Sequence, residues 1–76
     1  MSVLITGGLG HVGSWVAYLL AKQGKQVVIC DTAANRFDSL GLDYLEEVRD
    51  LLTLESVDVL DYHSIFKIFL RHRDEL

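Results

Sequence analysis

Hydrophobic positions in this chain fall into runs of two alternating kinds. Val3, Leu4 and Ile5 form a short continuous apolar run with β-branched residues prominent, which predicts a fully buried strand over Ser2–Thr6. A glycine cluster ends it. From 11 to 23 the period becomes helical: Val12, Trp15, Val16, Leu19 and Leu20 recur at i, i+3, i+4, i+7 and i+8 as one apolar stripe. Gly24 follows where a C-terminal cap belongs. Gln26–Cys30 reads as a second buried strand, and 31–35 as a polar loop. Leu42, Leu45 and Val48, with Leu52 at its end, suggest a second, shorter helix with Glu46, Glu47 and Arg49 outward; Gly41 and Asp43 both fit its start. A third strand is expected over 54–59, carried by Val57 and Val59. Tyr62–His72 reads as a helix whose apolar set, Ile65, Phe66, Ile68, Phe69 and Leu70, is wider than one stripe, as for a helix covered on more than one side.

Strand and helix therefore alternate three times. Parallel neighbours need a crossover connection, so this order predicts an α/β fold: a Rossmann-like three-layer parallel sheet of about three strands, in order 3-2-1, with three helices. Right-handed crossovers place the first two helices on one face and leave the third free to take the other. No proline, repeat or low-complexity stretch marks a boundary, so 76 residues form one domain, read as a partial one. Half the residues are hydrophobic. For so small a chain that surplus points to apolar area meant for a partner or for further polypeptide.

Charge narrows the partners. Eleven acids against seven Lys and Arg give a formal net charge of -4. The cations, Lys22, Lys25, Arg36, Arg49, Lys67, Arg71 and Arg73, are scattered, so no basic face for nucleic acid is expected. No apolar run reaches the length of a membrane span, and residues 2–5 lack the basic lead and length of a signal peptide. Cys30 is the single cysteine, which fits a reducing compartment, and a cytoplasmic location is expected. The tail Arg73-Asp74-Glu75-Leu76 is similar to an endoplasmic-reticulum retention signal; without a leader it reads as coincidence.

Candidate chemistry begins at Thr6-Gly7-Gly8-Leu9-Gly10-His11-Val12-Gly13. Gly8, Gly10 and Gly13 spell G-x-G-x-x-G, while Gly7, Gly10 and Gly13 spell G-x-x-G-x-x-G after Thr6. Either way the loop follows a strand and opens a helix, the context in which glycines let the backbone approach a pyrophosphate at a helix N-terminus. Asp31 stands 18 positions after Gly13, close to the spacing of about 20 expected of a carboxylate on the adenosine ribose. Such an acid repels a 2′-phosphate, so NAD is expected over NADP. A flavodoxin-like or other phosphate loop with an incidental Asp31 is the competing reading.

These residues resemble the T-G-x-x-G-x-x-G signature of the extended short-chain dehydrogenases/reductases, the NAD-dependent epimerase/dehydratase enzymes, with nucleotide-sugar 4-epimerases nearest. His11 stands where the non-extended branch would want glycine. Asp31 with Asn35 four later, and Asp58-Val59-Leu60-Asp61 after the third strand, carry the same resemblance. The resemblance implies that Asp31, Thr32 and Asn35 line the adenosine ribose and that the amides of His11 and Val12 sit over the pyrophosphate, within the turn made by Gly7, Gly10 and Gly13. It also implies that Asp58 accepts from the adenine amino group while the Val59 amide donates to the ring. Asp61 is read instead as a helix N-cap.

The tyrosine and lysine of that family's chemistry belong well beyond residue 76. Tyr18 and Lys22 spell a literal Tyr-x-x-x-Lys, but they lie on the order of 10–16 Å down the first helix, away from its phosphate-facing end. His11, His63 and His72 do not make a metal set, and Cys30 reads as a small buried residue. The expected function is the NAD-binding N-terminal part of a nucleotide-sugar epimerase/dehydratase-type oxidoreductase, without a catalytic residue of its own. The alternatives are a non-catalytic dinucleotide-binding or interaction module, or one chain of a split enzyme. Order 3-2-1 leaves the first strand an open edge, so self-association there, or a further C-terminal chain, is expected.

Overall fold

Four consecutive residues, Val27, Val28, Ile29 and Cys30, are each exposed by 2% or less, as a strand must be when it has neighbours at both edges and layers on both faces. A computed structural model of the chain describes residues 2–74 and 76, Asp38 and Ser39 through their backbone alone. Its strand β2 (Gln26–Cys30) lies between β1 (Ser2–Thr6) and β3 (Leu52–Glu55) in one parallel sheet of order β1-β2-β3. Register pairs Leu4 with Val28 and Ile5 with Ile29 on one side, and Val28 with Thr53 on the other. The expected α/β, Rossmann-like sheet of three parallel strands is therefore present. Glu75, within the retention-like tail, lies outside the described residues.

Alternation along β2 divides the interior into two layers. Val27 and Ile29 join Leu9, Ala17, Ala21, Phe37, Leu45 and Val48 in a cluster packed by α1 (His11–Lys22) and α2 (Asp43–Glu46). Val28 and Cys30 turn the other way, onto Val57 and Ile68, with Leu4 and Ile65, beneath α3 (Tyr62–His72). Fully burying one such aliphatic side chain contributes about 1.5–3 kcal/mol. The third helix has thus crossed to the far face.

Helix α1 ends as its sequence predicts. Gly24 takes φ 86, its amide donates to the Ala21 carbonyl at 2.8 Å, and the Lys25 amide donates to Leu20 at 3.2 Å, the paired bonds of a Schellman cap. Its large apolar residues are not the ones it buries. The core-facing residues are Ser14, Ala17 and Ala21, while Val12, Trp15, Val16 and Leu19 are 79, 50, 42 and 45% exposed. The reason is distance: a Cβ on Gly13 would lie 2.4 Å from the Gly7 carbonyl oxygen, so the helix is pressed onto the first loop and only small side chains fit beneath it. The large apolar stripe is left outside.

Three expectations are corrected. The stretch 31–35 is not an open loop but the start of a 3-10 segment, Thr32–Ser39, because the Asp31 carboxylate caps it through the Ala33 amide at 2.9 Å. The second helix is a single turn, α2, followed by a 3-10 turn at Arg49–Leu51; Leu45 and Val48 are buried as expected, but Leu52 belongs to β3. The third strand stops at Glu55 rather than continuing to Val59. Its partner β2 stops at Cys30, and beyond that the last links are Asp31 amide to Glu55 carbonyl at 3.0 Å and Val57 amide to Asp31 carbonyl at 3.4 Å.

At Gly13 the obstacle is backbone, which cannot rotate aside. Gly13→Ala is expected to cost about 3 kcal/mol, the upper end for overpacking, and to lower the melting temperature by more than roughly 10 °C. Thermal unfolding followed by far-UV circular dichroism reads this directly.

Candidate functional site

The strand order sends the carboxyl ends of β1, β2 and β3 to one side of the sheet, where parallel α/β folds place their ligands. Immediately past those ends, Gly7, Asp31, Thr32, Val57, Asp58 and Val59 line a cleft of about 200 Å³. That is below the roughly 300–1,000 Å³ of a complete small-molecule site. A second cleft of similar size, about 210 Å³, lies between β3 and α3. There Glu55 already meets Arg71 at 2.8 Å and His72 at 3.0 Å. Size does not separate the two; only the first adjoins the glycine loop.

The loop is built by the backbone. Gly7 takes φ 70, a region that favours glycine, and its amide donates to the Cys30 carbonyl at 2.7 Å. Gly8 has Ile29 Cγ2 2.6 Å from where a Cβ would stand, and Gly13 has the Gly7 carbonyl. Gly10 differs. Its Cβ would meet nothing nearer than the Gly7 oxygen at 3.6 Å, and φ -76 suits any residue. Both registers of the motif thus contain glycines demanded by this fold, whereas Gly10 is left open toward the outside.

Gly10 is the N-cap of α1 and makes no side-chain cap; the first turn carries no acid. The amides of His11, Val12 and Gly13 precede the first intrahelical bond, from Ser14 to Gly10 at 2.8 Å. Such amides at the positive end of a helix dipole suit an anion. His11 and Val12 are exposed there.

Asp31 touches more of the site than any other side chain. Its Oδ2 accepts from the Leu9 amide at 3.1 Å and its Oδ1 from the Ala33 amide at 2.9 Å. A carboxylate offers about four acceptor positions, so capacity for two hydroxyl donors remains. Asp58 is exposed and accepts at Oδ1 from the Leu60 amide at 2.9 Å. Asn35 is exposed within the 3-10 segment and is not among the residues lining the cleft. Sequence reasoning missed Leu9 and Val57. Leu9 acts through its amide, which any residue would supply, and Val57 was taken for a strand position.

Other candidates resolve structurally. The Tyr18 hydroxyl donates to Glu47 at 3.0 Å; that bond, then burial, raises its pKa. Lys22 Nζ stands 3.8 Å from the same carboxylate, so the pair ties α1 to the end of α2. Trp15, Tyr18 and Tyr44 form an aromatic cluster beside them, with centroids 5.3–5.6 Å apart, and Ser14 Oγ hydrogen-bonds Tyr44 Oη. Burial, reinforced by Glu55, pushes the Cys30 thiol above its ordinary pKa, the reverse of an activated nucleophile. Among the described residues no group of three His, Cys, Asp or Glu could hold a metal ion, and no helix is long and apolar enough to cross a membrane.

A parallel sheet with a glycine loop opening a helix, an acid just past the second strand and a cleft at the strand ends defines a Rossmann-like α/β domain. The family model described as GDP-mannose 4,6 dehydratase matches residues 4–75. UDP-glucose 4-epimerase of Bacillus subtilis (strain 168) is 29% identical over 76 residues, covering 99% of this chain and 22% of that protein. Protein CapI of Staphylococcus aureus is 32% identical, over 100% of the chain and 23% of that protein. UDP-glucose 4-epimerase of Haemophilus influenzae is 34% identical, over 91% and 20%. The chain belongs to this family of NAD-dependent epimerases and dehydratases, and it spans about a fifth of the length of these relatives.

Asp61 is the N-cap of α3, accepting from the Ser64 hydroxyl at 2.8 Å and the Ser64 amide at 3.2 Å. The hydroxyl bond, then the amide bond, holds its pKa below the usual carboxylate value. A lowered folded pKa gives stability that is present above the unfolded pKa and lost as pH falls through the folded one. Asp61→Asn keeps a capping oxygen without the titration, so its stability is expected to fall less than wild type's below about pH 4. Urea unfolding across pH 3–7 checks this.

Proposed function

We propose that this chain is the part of a nucleotide-sugar epimerase/dehydratase-type oxidoreductase that holds the adenosine diphosphate end of NAD. The observation that carries the reading is the single cleft joining Gly7, Asp31, Thr32, Asp58 and Val59 beside the uncapped start of α1. The donor set fits the group. Asp31 accepts the two ribose hydroxyls through its remaining lone pairs, with Thr32 and Asn35 alongside. The amides of His11, Val12 and Gly13 face the pyrophosphate, and the open side of Gly10 lets it approach. Asp58 accepts from the adenine amino group, and the Val59 amide donates to the ring.

NAD is the preferred dinucleotide, because a 2′-phosphate would meet the Asp31 carboxylate and no described cation lines the cleft to offset it. When bound, NAD would supply hydride chemistry at its nicotinamide; this chain's own residues, Asp31, Thr32, Asn35 and Asp58 with the amides of His11, Val12, Gly13 and Val59, would hold and orient its adenosine diphosphate end. The chain's place is the cytoplasm.

Calorimetric titration with NAD and NADP tests the reading. NAD is expected to bind more tightly, and tighter NADP binding, or none of either, overturns it. Asp31 also secures the loop, so Gly10→Ala is the cleaner variant. It should cost about 1 kcal/mol of stability or less yet weaken NAD by roughly tenfold or more through a Cβ pointing at the ligand.

A further inference from the structure

Helix α1 is tied to the α2 segment at two heights. At the far end, the Tyr18 hydroxyl donates to Glu47 at 3.0 Å and Lys22 Nζ stands 3.8 Å from the same carboxylate. Lys22 and Glu47 are both exposed, so that tie is weak. The other tie sits at the first turn and is sheltered. Ser14 is fully buried, and its Oγ hydrogen-bonds Tyr44 Oη. The Tyr44 ring stands edge-on to Trp15 and Tyr18, with centroids 5.5 and 5.6 Å away, which fixes where its hydroxyl points. Ser14 Oγ also donates to the His11 carbonyl at 3.3 Å. A serine hydroxyl has one proton and a carbonyl only accepts, so Tyr44 is the donor to Ser14 and the two bonds run one way, from Tyr44 through Ser14 to His11. The second is long, and donation into Ser14 Oγ polarises and strengthens it. The His11 carbonyl and the Val12 amide belong to one planar trans peptide and point in opposite directions. Holding the oxygen therefore aims the N–H, one of the uncapped donors at the start of α1.

We propose that Tyr44 is a positioning residue: acting through Ser14, it fixes the direction in which the Val12 amide faces an anion. Tyr44 does not line the strand-end cleft, so it acts on the site only through α1. Its effect on a bound diphosphate rests on the dinucleotide reading above; its hold on the first turn does not. The buried face of α1 is otherwise Ala17 and Ala21, and an alanine at 14 would fill nearly the same space. A hydroxyl buried there without a partner is costly, so Ser14 and Tyr44 make sense only as a pair. Tyr44 is anchored in turn, since it packs against the core cluster beside the fully buried Leu45. The core beneath α2 is thereby connected to a single amide at the mouth of the cradle.

Nuclear magnetic resonance titration of the protein with ADP and with adenosine tests this, with hydrogen exchange at the Ser14 amide, the first intrahelical bond of α1, read without ligand. Tyr44→Phe keeps the ring and removes the donor. It should speed Ser14 exchange several-fold and leave exchange at the Gly24 amide, at the other end of the helix, unchanged. It should weaken ADP roughly three- to tenfold, while adenosine, which has no phosphate, stays within about twofold. Ser14→Ala should weaken ADP in the same way, and adding Tyr44→Phe to it should weaken ADP no further, because both variants cut one chain of bonds. Glu47→Ala, which cuts only the far tie, should leave both affinities intact. Unchanged Ser14 exchange in Tyr44→Phe overturns the proposal, whether or not a ligand binds. So do equal weakening of ADP and adenosine, additive losses in the double variant, or an ADP loss in Glu47→Ala as large as that in Tyr44→Phe, each of which makes Tyr44 a packing residue only. A wild type that binds neither ligand refutes the dinucleotide reading instead, and Ser14 exchange then decides the role of Tyr44 by itself.

Discussion

The structure depends on one close approach, that of the Gly13 Cα to the carbonyl of Gly7. No side chain fits between them. Because the start of α1 is pressed against the end of β1, the helix must lie low on the sheet, and its inner face is reduced to Ser14, Ala17 and Ala21. The same approach aims the free amides of the first turn across the ends of the strands. The packing of α1 and the placing of its uncapped first turn thus come from a single contact. Tighter packing of helix on strand is what turns a loop into a cradle.

Asp31 holds the remaining strand ends to that contact. Its side chain reaches the Leu9 amide in the glycine loop and the Ala33 amide in its own 3-10 segment. Its backbone takes the last links to Glu55 and Val57 beyond β3. Three of these bonds, to Leu9, Glu55 and Val57, thereby join the exits of all three strands. An acid at the end of the second strand is usually discussed for what it offers a ribose. Here it organises the ground on which a ribose would rest, so its structural and binding roles are not separable by deleting it.

Much of this was legible in the sequence, for reasons that can be named. Buried parallel strands are continuous apolar runs, so β1 and β2 were found to the residue. Gly24 announced the end of α1 because a left-handed residue is needed there. Asp61 announced the start of α3 through its side chain. What the spacing left open was which face of α1 turns inward. Periodicity reports that a face is apolar, not which neighbour covers it, and the close approach at Gly13 is a distance no spacing encodes. The third strand was misread for a related reason: where a strand ends is set by its partner, and β2 runs out at Cys30. The 3-10 segment after Asp31 was missed because its cap is also the candidate ligand residue. The candidate site was legible as residue types, but Leu9 contributes an amide that every residue shares.

These points converge on α1. Its inner face is small, so this helix contributes little of its large apolar surface to the chain's own core. Its outer stripe becomes stabilising only when covered. Its N-terminus is where an anion would be held. Anything that binds the folded form and not the unfolded one raises stability by mass action, and both a ligand at the start of α1 and a neighbour along its side act on the same rigid element. The two are therefore linked: covering the stripe fixes the helix that carries the free amides, and filling the cradle fixes the helix that carries the stripe.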